Sequence, residues 1–242
     1  MKNRKTEMSR STSQLSTVIA SCGIVPGCVW LDGEVYFKSG GGAAASSPAG
    51  GEPFVMHDFF SAVYECLHIE YRKFYKMDAL SKLGFLASEL VLGSIDRELL
   101  KEDTGIALFN RSASLETDRR YRQTICDKNN FFPSPSEFVY TLPNIVAGEI
   151  SIRNKIHGET AFYIAPCFRG DRLCEAIDGM IRFAGMKYVL AGWTEVDAFS
   201  GKCGCLTVLC EAGNADGSLP DAGKLPLTAG NLEDLYVKYQ NY

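Results

Sequence analysis

Apolar positions along this chain change period several times, and each change marks an element. Leu15–Val25 reads as a strand that Pro26-Gly27 closes. From Asp58 the pattern turns helical, since Phe59, Val63 and Leu67 recur at four-residue steps on one face. Asp78 is placed to cap a second helix, with Leu80, Leu83, Ala87, Leu90 and Val91 as its buried stripe. Gly105–Phe109 is short, β-rich and continuously apolar, as a strand covered on both faces would be. Ser134-Pro135-Ser136-Glu137 is a helix start with a capping serine, a first-turn proline and a glutamate able to close a capping box. Phe138, Leu142, Ile145, Val146 and Ile150 carry that face on, with Pro143 kinking or restarting the helix. A strand at Ala161–Ala165 follows, and then a helix at Asp171–Ala184 with Leu173, Ile177, Met180, Ile181 and Ala184 on one side. Strands at Tyr188–Ala191 and Cys205–Cys210 and an amphipathic piece at Leu232–Tyr239 complete the pattern.

Strands alternating with helices, then two consecutive strands, predict one three-layer α/β domain over residues 14–242. Residues 1–13 are expected to be a disordered tail, and the stretch 39–51 (SGGGAAASSPAGG) a flexible loop. Lys2–Lys5 followed by Val18-Ile-Ala-Ser-Cys22 has the outline of a lipoprotein signal, but Ser9–Thr17 between them is polar. The apolar stretch falls short of the about 7–15 residues a signal peptide needs, so a tail and a cytoplasmic protein are expected.

Composition removes whole classes of function. The net charge is −4 and the only basic clusters are Lys2–Lys5 and Arg119–Arg122, so no concentrated positive face exists for nucleic acid. No apolar run reaches the about 18 residues needed to cross a bilayer. Nine cysteines, an odd number and mostly inside apolar runs, fit reduced thiols packed as small hydrophobes. Cys203-Gly-Cys205 has no histidine nearby to complete a metal site. No motif implies a cofactor, because the glycine-rich stretch 39–51 lacks the Lys-Ser/Thr ending of a phosphate loop.

Candidate chemistry concentrates in Gly158-Glu-Thr-Ala-Phe-Tyr-Ile-Ala-Pro-Cys167-Phe-Arg-Gly170. This reads as a strand delivering a cysteine to a turn that opens a helix, where unpaired N–H groups and Arg169 would favour the thiolate. Asn144-Ile-Val-Ala-Gly148, Gly158, Cys167 nine residues later, Gly170 and Ala191-Gly-Trp-Thr-Glu195 resemble β-ketoacyl synthases in order and spacing. In that family an Asn-x-x-Ala-Gly helix leads through a Gly-Pro strand to the active-site cysteine, and an Ala-Gly-Gly-x-Glu strand end follows. The likeness runs without gaps from about Ser134 to Glu195 and more loosely through Cys205–Glu211. Before residue 100 only the order of elements agrees.

The resemblance implies the N-terminal half of a three-layer thiolase-like fold, a mixed five-stranded sheet with helices on both faces. The departures are as informative. Only 31 residues follow Glu211, whereas the family has a second α/β half carrying catalytic histidines and a lysine. None of His57, His68 and His157 lies in a His-Gly-Thr-like setting. Pro166, Phe168 and Trp193 stand where small residues are usual, and Phe168 could narrow the pocket mouth. Cys167 therefore keeps two readings, an acyl-carrying nucleophile or a relic that packs. Phe131, Phe132, Phe138 and Tyr140 are either core or, as the resemblance implies, the far end of a partner's acyl channel. The strand with Glu159, Ala161, Tyr163 and Ala165 corresponds to the one that joins two sheets across the family's dimer interface.

Two functions from different classes follow. One is a half-length, chain-length-factor-like subunit of the kind found in aryl polyene and flexirubin-type pathways. It would pair with a full-length ketosynthase acting on acyl carrier protein thioesters and bound that partner's acyl channel. The other is a stand-alone thiol acyltransferase or thioesterase using Cys167. A decayed protein without a partner is a third possibility.

Overall fold

The computed structural model describes residues 16–39, 55–93, 95–129, 131–197, 202–213 and 224–240. The tail expected over 1–13 and, Ser39 apart, the loop expected over 39–51 lie outside them. The described strands are β1 (Thr17–Val25), β2 (Cys28–Leu31), β3 (Glu34–Lys38), β4 (Thr104–Asn110), β5 (Thr160–Ile164), β6 (Tyr188–Val196), β7 (Cys203–Glu211) and β8 (Leu225–Pro226). They form one mixed sheet in the order β3-β2-β1-β7-β6-β4-β5, with β8 beside β1. The five expected strands are the contiguous run β1-β7-β6-β4-β5, in which β4 runs parallel to β5 and β6, and β7 antiparallel to β6 and β1.

The sheet is larger than the expected five strands because β2 and β3 fold back on β1 as hairpins. Asp32 and Gly33 between them both have positive φ, 50° and 88°, the backbone of a tight primed turn. The Asp32 carboxylate also accepts from the Ser21 N–H at 2.7 Å, tying the turn to β1.

Helices cover both faces. On one side lie α1 (Met56–Cys66), α2 (Ala79–Leu92) and α5 (Ile145–Asn154); on the other lie α6 (Gly170–Phe183) and α7 (Ala229–Gln240). This double cover explains why all seven residues of β4 are buried. Asp78 caps α2 as expected, accepting from the Ser81 N–H at 2.9 Å and from the Thr117 hydroxyl at 2.8 Å. Beyond the expected stripe, every residue from Leu80 to Leu92 is buried, because α2 is wedged between the sheet, α1 and α5. Full burial of rings such as Phe60, Phe74 and Phe85 against this helix layer contributes roughly 1.5–3 kcal/mol each.

α4 (Pro135–Val139) starts at the Ser134 cap and stops short of Pro143, after which α5 begins afresh. α3 (Leu115–Ile125) is a polar helix that buries only Thr117. Charged pairs tie these layers together. Glu149, nearly fully buried on α5, accepts from the Tyr140 hydroxyl at 3.1 Å and pairs with Lys73 at 2.8 Å. Arg153 lies over the Tyr71 ring and pairs with the buried Glu89 of α2 at 3.2 Å.

Candidate functional site

Because β4, β5 and β6 are parallel, their C-terminal ends meet at one edge of the sheet, where open α/β folds place their ligands. The loops leaving these strands carry Arg111, Pro166-Cys167-Phe168 and Asp197 to that edge. Together with Glu195, Lys202 and Tyr236 of α7 they line a cleft of about 280 Å³. Cys167 stands exposed at its wall. The cleft's frame is cross-linked, since the Arg111 N–H donates to Glu195 Oε2 at 2.7 Å. Glu195 Oε1 is buried and accepts from no group among the described residues. Burial, and then the charges of Glu195 and Cys167, push the Tyr236 phenol above its ordinary value.

The helix start beside Cys167 departs from the expected geometry. The Gly170 N–H donates to Glu233 Oε1 of α7 at 3.3 Å, and the Arg172 N–H donates to Asp171 Oδ1 at 2.8 Å. Carboxylates therefore hold two of the N–H groups that a thiolate would use. The Arg169 guanidinium is engaged in a two-pronged pair with Asp171, which keeps that carboxyl below its usual range. Gly170 has a reason of its own: a Cβ there would lie 2.3 Å from the Ala229 carbonyl, so only glycine lets α7 come this close. His157 supplies no base, because it sits before the start of β5 beside Glu102, whereas Cys167 follows the strand's other end.

Phe168 is half-buried in the wall of the cleft. Its ring stacks on Tyr236 at 4.1 Å and meets Trp193 edge-on at 6.4 Å, filling the seam between α6, α7 and β6. Trp193, which stands where the resembling family usually has a glycine, is buried in that seam.

The aromatic cluster divides. Tyr140 is buried and committed to Glu149, so it belongs to the core. Phe131, Phe132 and Phe138 are 62%, 78% and 54% exposed, which rules out the core reading for these three. Val139 and Leu142 are exposed as well, so five large apolar side chains on α4 and its flanks face solvent.

β5 is the edge of the sheet, bonded only to β4. The Glu159 carbonyl and the Ala165 N–H anchor its two ends to Ile106 and Asn110, at 2.8 Å each. Ala161 and Ala165 face the α6 layer; Tyr163 stacks on Phe109 at 4.5 Å with 41% of its surface still exposed, and Ile164 is 62% exposed. No helix described is long and apolar enough to cross a membrane, and among the described residues no three His, Cys, Asp or Glu side chains converge as a metal site requires.

No protein-family model and no curated sequence matches the chain. Solved structures do. The ishigamide ketosynthase/chain length factor superposes with a TM-score of 0.56 at 16% identity, over 88% of this chain and 64% of that one. A chain of the ketosynthase ApeO in complex with its chain length factor ApeC, from Xenorhabdus doucetiae, gives 0.55 at 13%, over 93% and 92%. The chain has the ketosynthase fold. The type II polyketide complex AntDE:AntF gives a TM-score of 0.53 at 13% identity, over 83% of this chain and 63% of that one. This ketosynthase-fold chain thus spans less than two thirds of the ishigamide and AntDE:AntF chains, while the Xenorhabdus chain is of similar length.

Sequence reading found the cysteine turn, the strand before it and Glu195, but missed Arg111 and Tyr236. Both reach the cleft only through tertiary packing, Arg111 by following β4 and Tyr236 by the docking of α7 on α6. The one signal was Asn110, whose side chain bonds Ala113 in both directions and so shapes the loop after β4.

Proposed function

We propose that this chain is a chain-length-factor-like subunit that pairs with a full-length ketosynthase. β5 is the joining edge, and the surface of Phe131, Phe132 and Phe138 helps bound the partner's acyl channel. The partner would condense acyl carrier protein thioesters in a cytoplasmic heterodimer serving fatty-acid, polyene or polyketide-like biosynthesis.

The observation that carries this reading is β5 itself, an unpaired edge with Tyr163 and Ile164 exposed. An apolar edge of this kind is a hazard unless another chain covers it. Two further features support it. The described structure gives Cys167 no histidine and assigns its helix-start donors to Glu233 and Asp171. The similar structures include complexes named for a ketosynthase with its chain length factor.

Affinity capture of the tagged chain from its own host tests the pairing. A full-length ketosynthase at equal stoichiometry is expected; recovery of a homodimer alone would contradict it. The shaping role is tested separately by substituting Phe131 and Phe138 with alanine, which should change product length in the reconstituted assembly.

A second reading, a stand-alone thiol acyltransferase or thioesterase, draws on the exposed Cys167 beside the unpaired Glu195 oxygen. Intact mass after incubation with acyl thioesters decides it. An adduct lost in Cys167→Ser would establish that chemistry, and an unmodified mass would exclude it.

A further inference from the structure

A second cavity, of about 310 Å³, opens on the other side of the β6 end, and Asp197 separates it from the Cys167 cleft. Its apolar wall is Met56, Phe60, Met77, Ala79 and Val196, and its polar wall is His57, Lys82, Glu116, Arg120 and Asp197. Lys82 is the unusual member. It is only 7% exposed, and among the described residues no hydrogen bond or ion pair reaches its Nζ. Its ammonium lies over the Phe74 ring, 5.6 Å from the centroid. Asp78, whose carboxylate oxygens accept from Ser81 and Thr117, supplies negative charge nearby without forming an ion pair with Lys82. Burial, and then the charge of Arg120, press the ammonium below the usual lysine range. Lys82 thus lines the cavity without an ion pair or hydrogen bond of its own among the described residues, a cation that an entering anion would pair with.

We propose that this cavity binds a monoanion with a short alkyl tail, a medium-chain carboxylate, its head on Lys82 and its tail over Met56, Phe60 and Met77. Arg120 adds a second positive charge beside the head, held by its own pair with Glu116 at 3.6 Å. Glu116 and Asp197 on the same wall repel a dianion, which disfavours phosphate. The apolar wall gives an alkyl tail somewhere to go, which a small inorganic anion would leave wet. The cavity rests on its own residues and does not depend on pairing with a ketosynthase.

Calorimetric titration of the full chain with octanoate, octanol and inorganic phosphate tests this. Octanoate should saturate at one equivalent, with octanol and phosphate each weaker by about tenfold or more, the factor a charge-assisted hydrogen bond supplies. Lys82→Met keeps the stem and removes the charge; it should weaken octanoate by a similar factor. Arg120→Gln, on a half-exposed side chain, should weaken it less but measurably. Octanol binding as tightly as octanoate, or no saturable octanoate binding at all, would overturn the proposal. If Lys82→Met does not fold, Arg120→Gln decides alone, and unchanged octanoate affinity in it overturns the proposal too.

Discussion

At the residue scale, Gly192 and the buried cysteines carry the clearest consequences. A Cβ at Gly192 would lie 2.2 Å from the Leu206 carbonyl, which is ladder backbone and has no room to move. Gly192→Ala is therefore expected to lower stability by about 1–3 kcal/mol or more, read as a lower urea midpoint at unchanged slope. Burial pushes the thiols of Cys203 and Cys205 up to about 12 and raises those of Cys22 and Cys210 as well. In the unfolded chain these thiols ionise from about pH 8.5, so above that the unfolded state holds fewer protons than the native one and stability falls as pH rises. Urea midpoints at neutral and alkaline pH check the sign. Iodoacetamide on the native chain should mark the exposed Cys66, Cys126 and Cys167 and leave Cys22, Cys203, Cys205 and Cys210 untouched until denaturation. Mass mapping that finds native Cys205 alkylated would contradict this packing.

At the scale of elements, α7 and β5 play opposite parts. α7 closes one face of the sheet. Tyr239 stacks on Trp30 at 5.8 Å, bonds the Ser21 hydroxyl at 3.0 Å and presses on Gly23, where a Cβ would meet its ring. Tyr239→Ala should cost about 3–5 kcal/mol, whereas Tyr239→Phe, which loses only the hydrogen bond, should cost about 1 kcal/mol. β5 leaves its edge open. Ile164→Lys is expected to change stability little, by about 0.5 kcal/mol or less as read from urea unfolding, while abolishing capture of a ketosynthase. Loss of folding in that variant would show that Ile164 serves this chain's own core.

What could be read in advance follows from the physics of each element. α2, α5, α6, β4 and the Asp78 and Ser134 caps were legible because apolar period and cap chemistry are local. The β2–β3 hairpin passed unread although Asp32-Gly33 between two short runs carried its signal. α3 left no apolar period to find, since it buries little beyond Thr117. The cysteine turn was legible as strand, thiol and helix start. Its electrostatics were not, because the carboxylate that takes the Gly170 N–H belongs to Glu233, distant in sequence, and arrives only when α7 docks.

At the scale of the whole molecule, the described structure has one sheet buried on both faces through its middle and open at its two edges, β3 and β5. The exposed Phe131, Phe132, Phe138, Leu142, Tyr163 and Ile164 belong to β5 or to the α4 segment and its flanks. Such surface is ordered in the free chain yet has little of its own to cover it, as an interface awaiting a partner would be. Hydrogen exchange of the β5 amides, compared between the free chain and its captured assembly with a ketosynthase, tests this most directly. The account predicts strong new protection across Thr160–Ile164 on association. Unchanged exchange there, with protection gained elsewhere, would contradict it.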